Sequence, residues 1–532
     1  MVDDSNTELP SQEEELSLLC GVGVACYGCS PIIEDDDSTQ DGESGKPGTI
    51  ERKRRQIDEV LGWSLDASAR GVILMATAVF VSSELLRLAK EASVCVDSSD
   101  EGGESDSEQE EDCRVHGMRP TSVLTNIVTI TGLLSAFIMP LVGSIIDHTD
   151  HRRSVGSISA AAITTFIFVQ MLIMEEHWLT AAILQILVSV AYTVHLTVVY
   201  AYFPELTSDH DELTKLAAQF TGVQYGSSVA FLLTMVVLLE AVNTKEEINP
   251  AFLAQEVVII ICCIFFGTSW IKLFHSRSAT QNVPENGSLL TSGFRKIYKT
   301  GKKILEDHDA IKWVLLSVAF TEAATTTFVT VAITYMTEQL GFEAQENGIA
   351  ILILLLFSVP GAQIATRITK VFNPIRSLQA CLCLWVVTIT MAAVFLKHEG
   401  QQTLAYSFAV LWGLALGWTF PTEKTLYVTV IPRGQEAELM GTYICACQVL
   451  SWLPPLVFSM LNEAGLSMRL GVTSLAVFML ISFSILFLVG DYEQAVAHAK
   501  AVDEQRTEVL EGNNASTRED QQHEYVHYKE MD

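Results

Sequence analysis

The chain is short of positive charge. Its 33 Lys and Arg stand against 63 Asp and Glu, a formal net charge of -30. No basic patch that could neutralise phosphates is present, which argues against nucleic-acid binding. Also missing is a Gly-x-x-x-x-Gly-Lys-Ser/Thr loop, which argues against a pump driven by bound ATP. No set of Cys, His, Asp and Glu has metal-ligand spacing, no cofactor is implied, and nothing resembles an enzyme. Cys26 and Cys29 form a CxxC with Cys20 nearby, but no second pair stands beside it, so no zinc site is expected. The first residues are acidic rather than basic and then apolar, so no cleavable signal peptide is expected.

What the chain has is apolar surface, at 49% of residues. Acidity and greasiness are reconciled by position. Residues 1–49 carry 12 acids and one base, residues 91–112 carry 10 acids and no base, and residues 491–532 carry 11 acids and four bases. These three segments read as solvated, disordered blocks outside an apolar body. Twelve stretches of that body are long enough to span a bilayer. They lie near 67–88, 121–146, 154–174, 178–202, 216–240, 251–273, 311–336, 346–367, 375–396, 403–426, 438–461 and 468–490.

Lys and Arg concentrate in alternate connections: Glu51–Gln56, Arg152 and Arg153, the central loop, Lys370 with Arg376, and Arg433. By the positive-inside rule both termini and the central loop face the cytoplasm. The acidic loop 91–119 then faces away from it, where Cys95 and Cys113 could form a disulfide. The sequons at Asn286 and Asn514 fall on the cytoplasmic side and read as chance. The expected organisation is an acidic cytoplasmic arm (1–60), a six-helix half (61–275), a central loop (276–310), a second six-helix half (311–490) and an acidic tail (491–532). Such paired halves place a substrate site at the membrane midplane.

"LVGSIIDHTDHRRSVG", between spans 2 and 3, carries Gly143, Asp147, Arg152 and Arg153. Gly-x-x-x-Asp followed by bases in this loop resembles the loop signature of the major facilitator superfamily, with His148 and Asp150 where the family more often has a base and a glycine. Gly143 would let a neighbouring helix approach. Asp147 sits at a helix C-terminus, an unfavourable end for an anion. Its expected relief is a helix N-terminus of the other half, that of span 11, or the nearby arginines; Glu436 and Glu438 of span 11 could in turn pair with Arg152 or Arg153 as a cytoplasmic latch.

Further stretches narrow the resemblance. "LGWSLDASARG" opens span 1, "YAYFPELT" follows span 4, "FTGVQYGSS" opens span 5 with Gly222 and Gly226, and "VIPRGQEAELMGTY" precedes "SWLPPL". Together they resemble the autophagy-related vacuolar amino-acid effluxer family over residues 61–495. Departures are Pro454 before Pro455, where the family has Gly-Pro, and Lys424–Thr425 for its Arg-Ser. The resemblance implies an all-α, twelve-helix transporter of the vacuolar (or lysosomal) membrane. It would export neutral amino acids of the leucine, isoleucine and tyrosine type to the cytoplasm. In the arm, Glu14 with Leu18 and Leu19 resembles an acidic dileucine signal for sorting adaptors.

Ionisable groups inside a membrane are costly and mark candidate sites. Glu322, with Thr325 and Thr326, is the leading contact for a substrate amine or a proton. Asp66 and Arg70 lie four apart and could pair. An early start to span 1 makes Arg70 a carboxylate contact. A late start, the preferred reading, leaves both as interface anchors. His195 and Tyr192 in span 4, with Gln224 and Tyr225 in span 5, could line the cavity. His195 alone reads first as a helix-to-helix hydrogen bond. Gln170, Gln363 and Gln448 are weaker candidates, and Gly413 and Gly417 read as close packing in span 10. Two other readings stand beside amino-acid export: a carrier of another solute, such as folate or pterin, and a non-transporting membrane sensor or trafficking protein.

Overall fold

A computed structural model of the chain describes residues 47–96, 112–203, 206, 210–242, 249–277, 289–307, 309–431, 436–497 and 501. Twelve helices are long and apolar enough to cross a bilayer, here called spans 1 to 12. They are Arg54–Glu91, Ser122–His148, Arg152–Ile173, Trp178–Tyr202, Gln219–Ala241, Pro250–Leu273, Asp309–Leu340, Ala344–Phe372, Pro374–Phe395, Gln402–Val430, Thr442–Glu463 and Met468–Val489. The expected sorting motif (Glu14, Leu18, Leu19) and the cysteines of the N-terminal arm lie outside the described residues, as do the side chains of Glu436 and Glu438.

Span 1 departs most from expectation. Its helix runs from Pro47 to Met75, passes through a π-helical turn at Ala76–Val81, and continues over Ser82–Glu91. The early start is amphipathic rather than apolar, so hydropathy alone begins the span too late. Asp66 and Arg70 therefore stand well inside the helix and are fully buried, and the interface-anchor reading is corrected.

Helix starts follow local chemistry. "NP" opens both span 6 and span 9. Asn249 accepts from Ala251 N–H at 2.9 Å and Asn373 from Arg376 N–H at 3.0 Å, with proline in the first turn of each helix. The side chain caps a free amide where proline has none to offer. Asn373 holds φ +85°, a left-handed conformation that asparagine tolerates better than most. Span 11 breaks. Its first helix ends at Val449 and a second begins at Leu453, with Pro454 and Pro455 in its first turn.

Glycines set the tightest helix pairs. A Cβ on Gly413 or Gly417 of span 10 would come within 2.4 Å of the Leu354 carbonyl oxygen or 1.8 Å of that of Ser358, both in span 8. Gly361 of span 8 returns the contact on Leu414. Gly222, which opens span 5 in a Gly-x-x-x-Gly spacing like that of Gly413 and Gly417, makes no such contact, since a Cβ there would meet open space. Gly71 makes the approach between spans 1 and 5 instead, against the Gln224 carbonyl. Gly143 is likewise open, and the close contact near it belongs to Gly293, set against the Pro140 carbonyl. Gly293 lies in the linker helix Leu289–Asp307.

The spans form two halves, joined by this linker on the face that also carries the turn after span 2. The opposite face carries strands β1 (Val94–Val96) and β2 (Asp112–Arg114), antiparallel, with Cys95 opposite Cys113 and bonded to it. On that hairpin face the halves are clasped. Lys90 meets Glu338 at 2.8 Å, and Glu463 takes the Arg119 amide at 2.8 Å. Asn462 donates to Ser122 at 2.8 Å, Ser459 donates to Asn126 at 2.7 Å, and Asn347 reaches Ser83.

Candidate functional site

Buried ionisable side chains gather around Asp66 in the first half and around Glu322 in the second. In the first half, Asp66 is the hub. Its Oδ2 accepts from Arg70 Nε at 2.7 Å, and its Oδ1 accepts from His195 Nε2 at 2.8 Å and Trp270 Nε1 at 3.0 Å. The far nitrogen of His195 faces the Ser159 hydroxyl at 2.9 Å. Arg70 Nη1 donates to Gln224 at 3.3 Å, and its guanidinium sits 5.1 Å over the Trp63 ring. Trp63, from the Gly-Trp opening, is stacked on Phe220. One aspartate thus ties together spans 1, 3, 4, 5 and 6. The charge of Arg70 is balanced in place, as a buried cation requires. Its Nη2 alone has no hydrogen-bond partner, and Tyr192 and Tyr200 lie within its electrostatic reach. The helix-to-helix reading of His195 agrees with this geometry.

In the second half, Glu322 of span 7 lies beside Glu423 of span 10, close enough for their carboxyl groups to interact electrostatically. Both are buried. Two like charges set this close cost energy unless a proton or a cation comes between them. Lys424, Cys447 and Tyr443 lie close to the pair, and Tyr443 stacks near Tyr427 at 4.9 Å between centroids. Thr325 and Thr326 donate to carbonyls of their own helix, at 3.0 and 2.7 Å. Thr326 is nonetheless exposed on an otherwise well-buried stretch of span 7. Tyr225 of span 5, 38% exposed, lies in the electrostatic reach of Glu322, Tyr192 and Tyr200. Tyrosines therefore lead from the cation of one half to the acids of the other.

Glu423 is the residue that sequence reading missed, along with the roles of Tyr443 and Cys447. Cys447 reads as packing but lies against the acids. A signal was available: "FTEAAT" in span 7 and "PTEKT" in span 10 repeat Thr-Glu in the two spans whose acids meet. Gln170 sits in a closed network with Gln185 and Gln255 and the Ala181 carbonyl, among spans 3, 4 and 6, and is structural.

The loop residues expected to form a latch are placed as follows. Asp147 is half-buried at the end of span 2. Arg152 is buried, donates to the Ala201 carbonyl at 3.2 Å and lies 5.5 Å over the Tyr202 ring. Arg153 donates to the Trp270 and Ile271 carbonyls, at 3.3 and 2.7 Å. Those carbonyls close span 6, where a cation is favoured by the helix dipole. Here Arg153 holds its own half together, while among the described residues the hairpin face carries polar contacts between the two halves.

Residues 55–500 match the family described as vacuole effluxer Atg22 like. The chain is 20% identical over 380 residues to an uncharacterized MFS-type transporter, YxiO, of Bacillus subtilis (strain 168), covering 71% of this chain and 84% of that one. Among solved structures it is similar to a bacterial homologue of the iron transporter ferroportin in an inward-facing state. The identity there is 15%, with a TM-score of 0.55 over 82% of this chain and 99% of that one. It is also similar to a D-xylose-proton symporter, at 12% identity and a TM-score of 0.55 over 83% and 98%. At these identities the likeness establishes the fold, the major facilitator arrangement of two six-helix halves.

Proposed function

Because the chain belongs to the vacuole effluxer Atg22-like family, and is thus a membrane transporter, we propose that it exports neutral amino acids from the vacuole lumen to the cytoplasm. The mechanism is alternating access, with both termini and the linker on the cytoplasmic side. The observation that carries this reading is the polarity of the two halves. One presents the free Nη2 of Arg70 behind Tyr192 and Tyr200, and the other presents the Glu322–Glu423 pair. An amino acid is a zwitterion, so its carboxylate suits the first pole and its ammonium the second. Thr326 and Tyr225 are exposed, and Tyr225 lies within electrostatic reach of Glu322, Tyr192 and Tyr200.

Binding energy here comes from matching both charges at once, which a neutral sugar cannot do. The acid pair gives the second half a choice between an ammonium and a proton. The test is efflux of radiolabelled leucine and tyrosine from preloaded vacuolar vesicles with an acidic interior, with and without the protein. Faster efflux that depends on the protein is expected. Equal efflux across a panel of neutral amino acids would overturn the cargo assignment.

A further inference from the structure

The linker helix Leu289–Asp307 is divided lengthwise into three stripes. Gly293, Thr300 and Ile304 share one face and are buried, with Gly293 pressed on the Pro140 carbonyl of span 2. A second stripe, about a third of a turn round, holds Phe294, Tyr298 and Leu305, exposed at 39%, 74% and 65%. The third holds Arg295, Lys299 and Lys302, all exposed. Lys302 is shared with Glu306 at 3.6 Å.

A helix docked on its own protein needs only one apolar face. The second stripe therefore needs an occupant, and its surroundings supply one. Phe294 packs on Phe137 of span 2, with centroids 5.6 Å apart. Phe137 is exposed and continues a row formed by Ile130, Leu133 and Leu134, also exposed. That row is the apolar surface of a membrane span, so it faces acyl chains. The Phe294 stripe extends this surface past the end of span 2. Aromatic side chains at that level belong in the headgroup region, and the basic stripe beside them would stand at the headgroup phosphates.

We propose that the linker helix is an interfacial binding site for anionic phospholipid headgroups, with Phe294, Tyr298 and Leu305 inserted and Arg295, Lys299 and Lys302 on the lipid phosphates. The local charge makes this a discriminating site. The helix carries five bases and two acids in a chain whose net charge is -30. The linker touches span 2 and the first segment of span 11, one from each half. A lipid held there would bear on both.

The test uses the full chain in phosphatidylcholine nanodiscs with and without phosphatidylserine, reading retained lipid by native mass spectrometry after mild delipidation. Phosphatidylserine should be retained over phosphatidylcholine. The variant carrying Arg295→Gln, Lys299→Gln and Lys302→Gln should lose about tenfold or more of that preference, because each base near an anionic surface adds to the attraction. High salt should weaken it in the unaltered protein, which separates the effect from any folding defect of the variant. Equal retention of both lipids, or an unchanged preference in the triple variant, would overturn the proposal. So would loss on Phe294→Ser with Tyr298→Ser but not in the triple variant, because insertion alone would then account for binding.

Discussion

The two halves treat buried charge in opposite ways. In the first, Asp66 receives three donors and balances Arg70 at once, so that one atom of the guanidinium is left over. In the second, two acids are set against each other, and among the described residues neither oxygen of Glu423 has a hydrogen-bond partner. A satisfied network holds helices in register, whereas an unsatisfied one waits for a partner. The first half reads as a frame with a single open contact, and the second as the half where cargo or proton changes the charge.

The contrast is broken most directly at the hub. Asp66→Ala strands Arg70 in the core, and removing one partner of a buried pair costs about 3–5 kcal/mol. The expected result is a steep fall in monodisperse yield and in the thermal unfolding midpoint. A variant that folds normally would show that the cluster is not the frame. Glu423→Gln should do the reverse. Transport should fall about a hundredfold, equivalent to about 2.7 kcal/mol of barrier, while the unfolding midpoint holds or rises because a crowded carboxyl is gone. Efflux and unfolding measured on one preparation decide this, and a variant crippled in both would merge the two halves into one role.

Helix contacts sharpen the comparison. Gly417→Ala forces a methyl group against the Ser358 carbonyl and should cost about 1–3 kcal/mol. Gly222→Ala meets open space and should stabilise by up to about 1 kcal/mol through helix propensity. Paired unfolding curves test both, and similar losses would mean that span 5 packs as tightly as span 10. Asp147→Asn should slow efflux several-fold without harming folding, since relief of an anion at a helix end is worth about 1 kcal/mol. Normal flux would remove Asp147 from any latch. The smallest effect belongs to Lys90→Met on the clasp. That pair is partly exposed and should contribute about 0.2–1 kcal/mol. Its signature is easier labelling of the hairpin face by a thiol probe at an introduced cysteine, and unchanged labelling would assign the clasp to the Asn462 and Glu463 contacts.

Most of the architecture was legible because crossing a bilayer imposes a length and a composition that few other segments satisfy. Eleven of the twelve expected spans fall within a few residues of the observed helices. Span 1 was misplaced because its early turns carry Asp66 and Arg70, and hydropathy counts a buried salt bridge as two exposed charges. Glu322 was legible as a lone acid in a greasy run. Glu423 was hidden because Lys424 follows it, which makes the dipeptide look like a solvated helix end. The hairpin-face clasp was not legible at all. Its partners, such as Ser122 and Asn462, are ordinary polar residues hundreds of positions apart, and only the docking of the halves gives them meaning.

Span 11 is best viewed as a beam with a notch. A continuous helix resists bending because each peptide is tied to the one four residues back. Between Val449 and Leu453 the ties are shorter-range, from Ser451 to Gln448 and from Leu453 to Leu450, and the prolines that follow cannot donate. The segment beyond the notch is fastened to span 2 through Ser459 and Asn462, and to the Arg119 amide just before it through Glu463. The segment before it carries Tyr443 and Cys447 against the acids. A change of charge at Glu322 and Glu423 would therefore push on one arm of a lever whose other arm is bolted down. Bending stiffness, rather than the weight of a whole half, should set the pace of the first movement, and hydrogen exchange at the amides of 450–453 should run faster than in either arm.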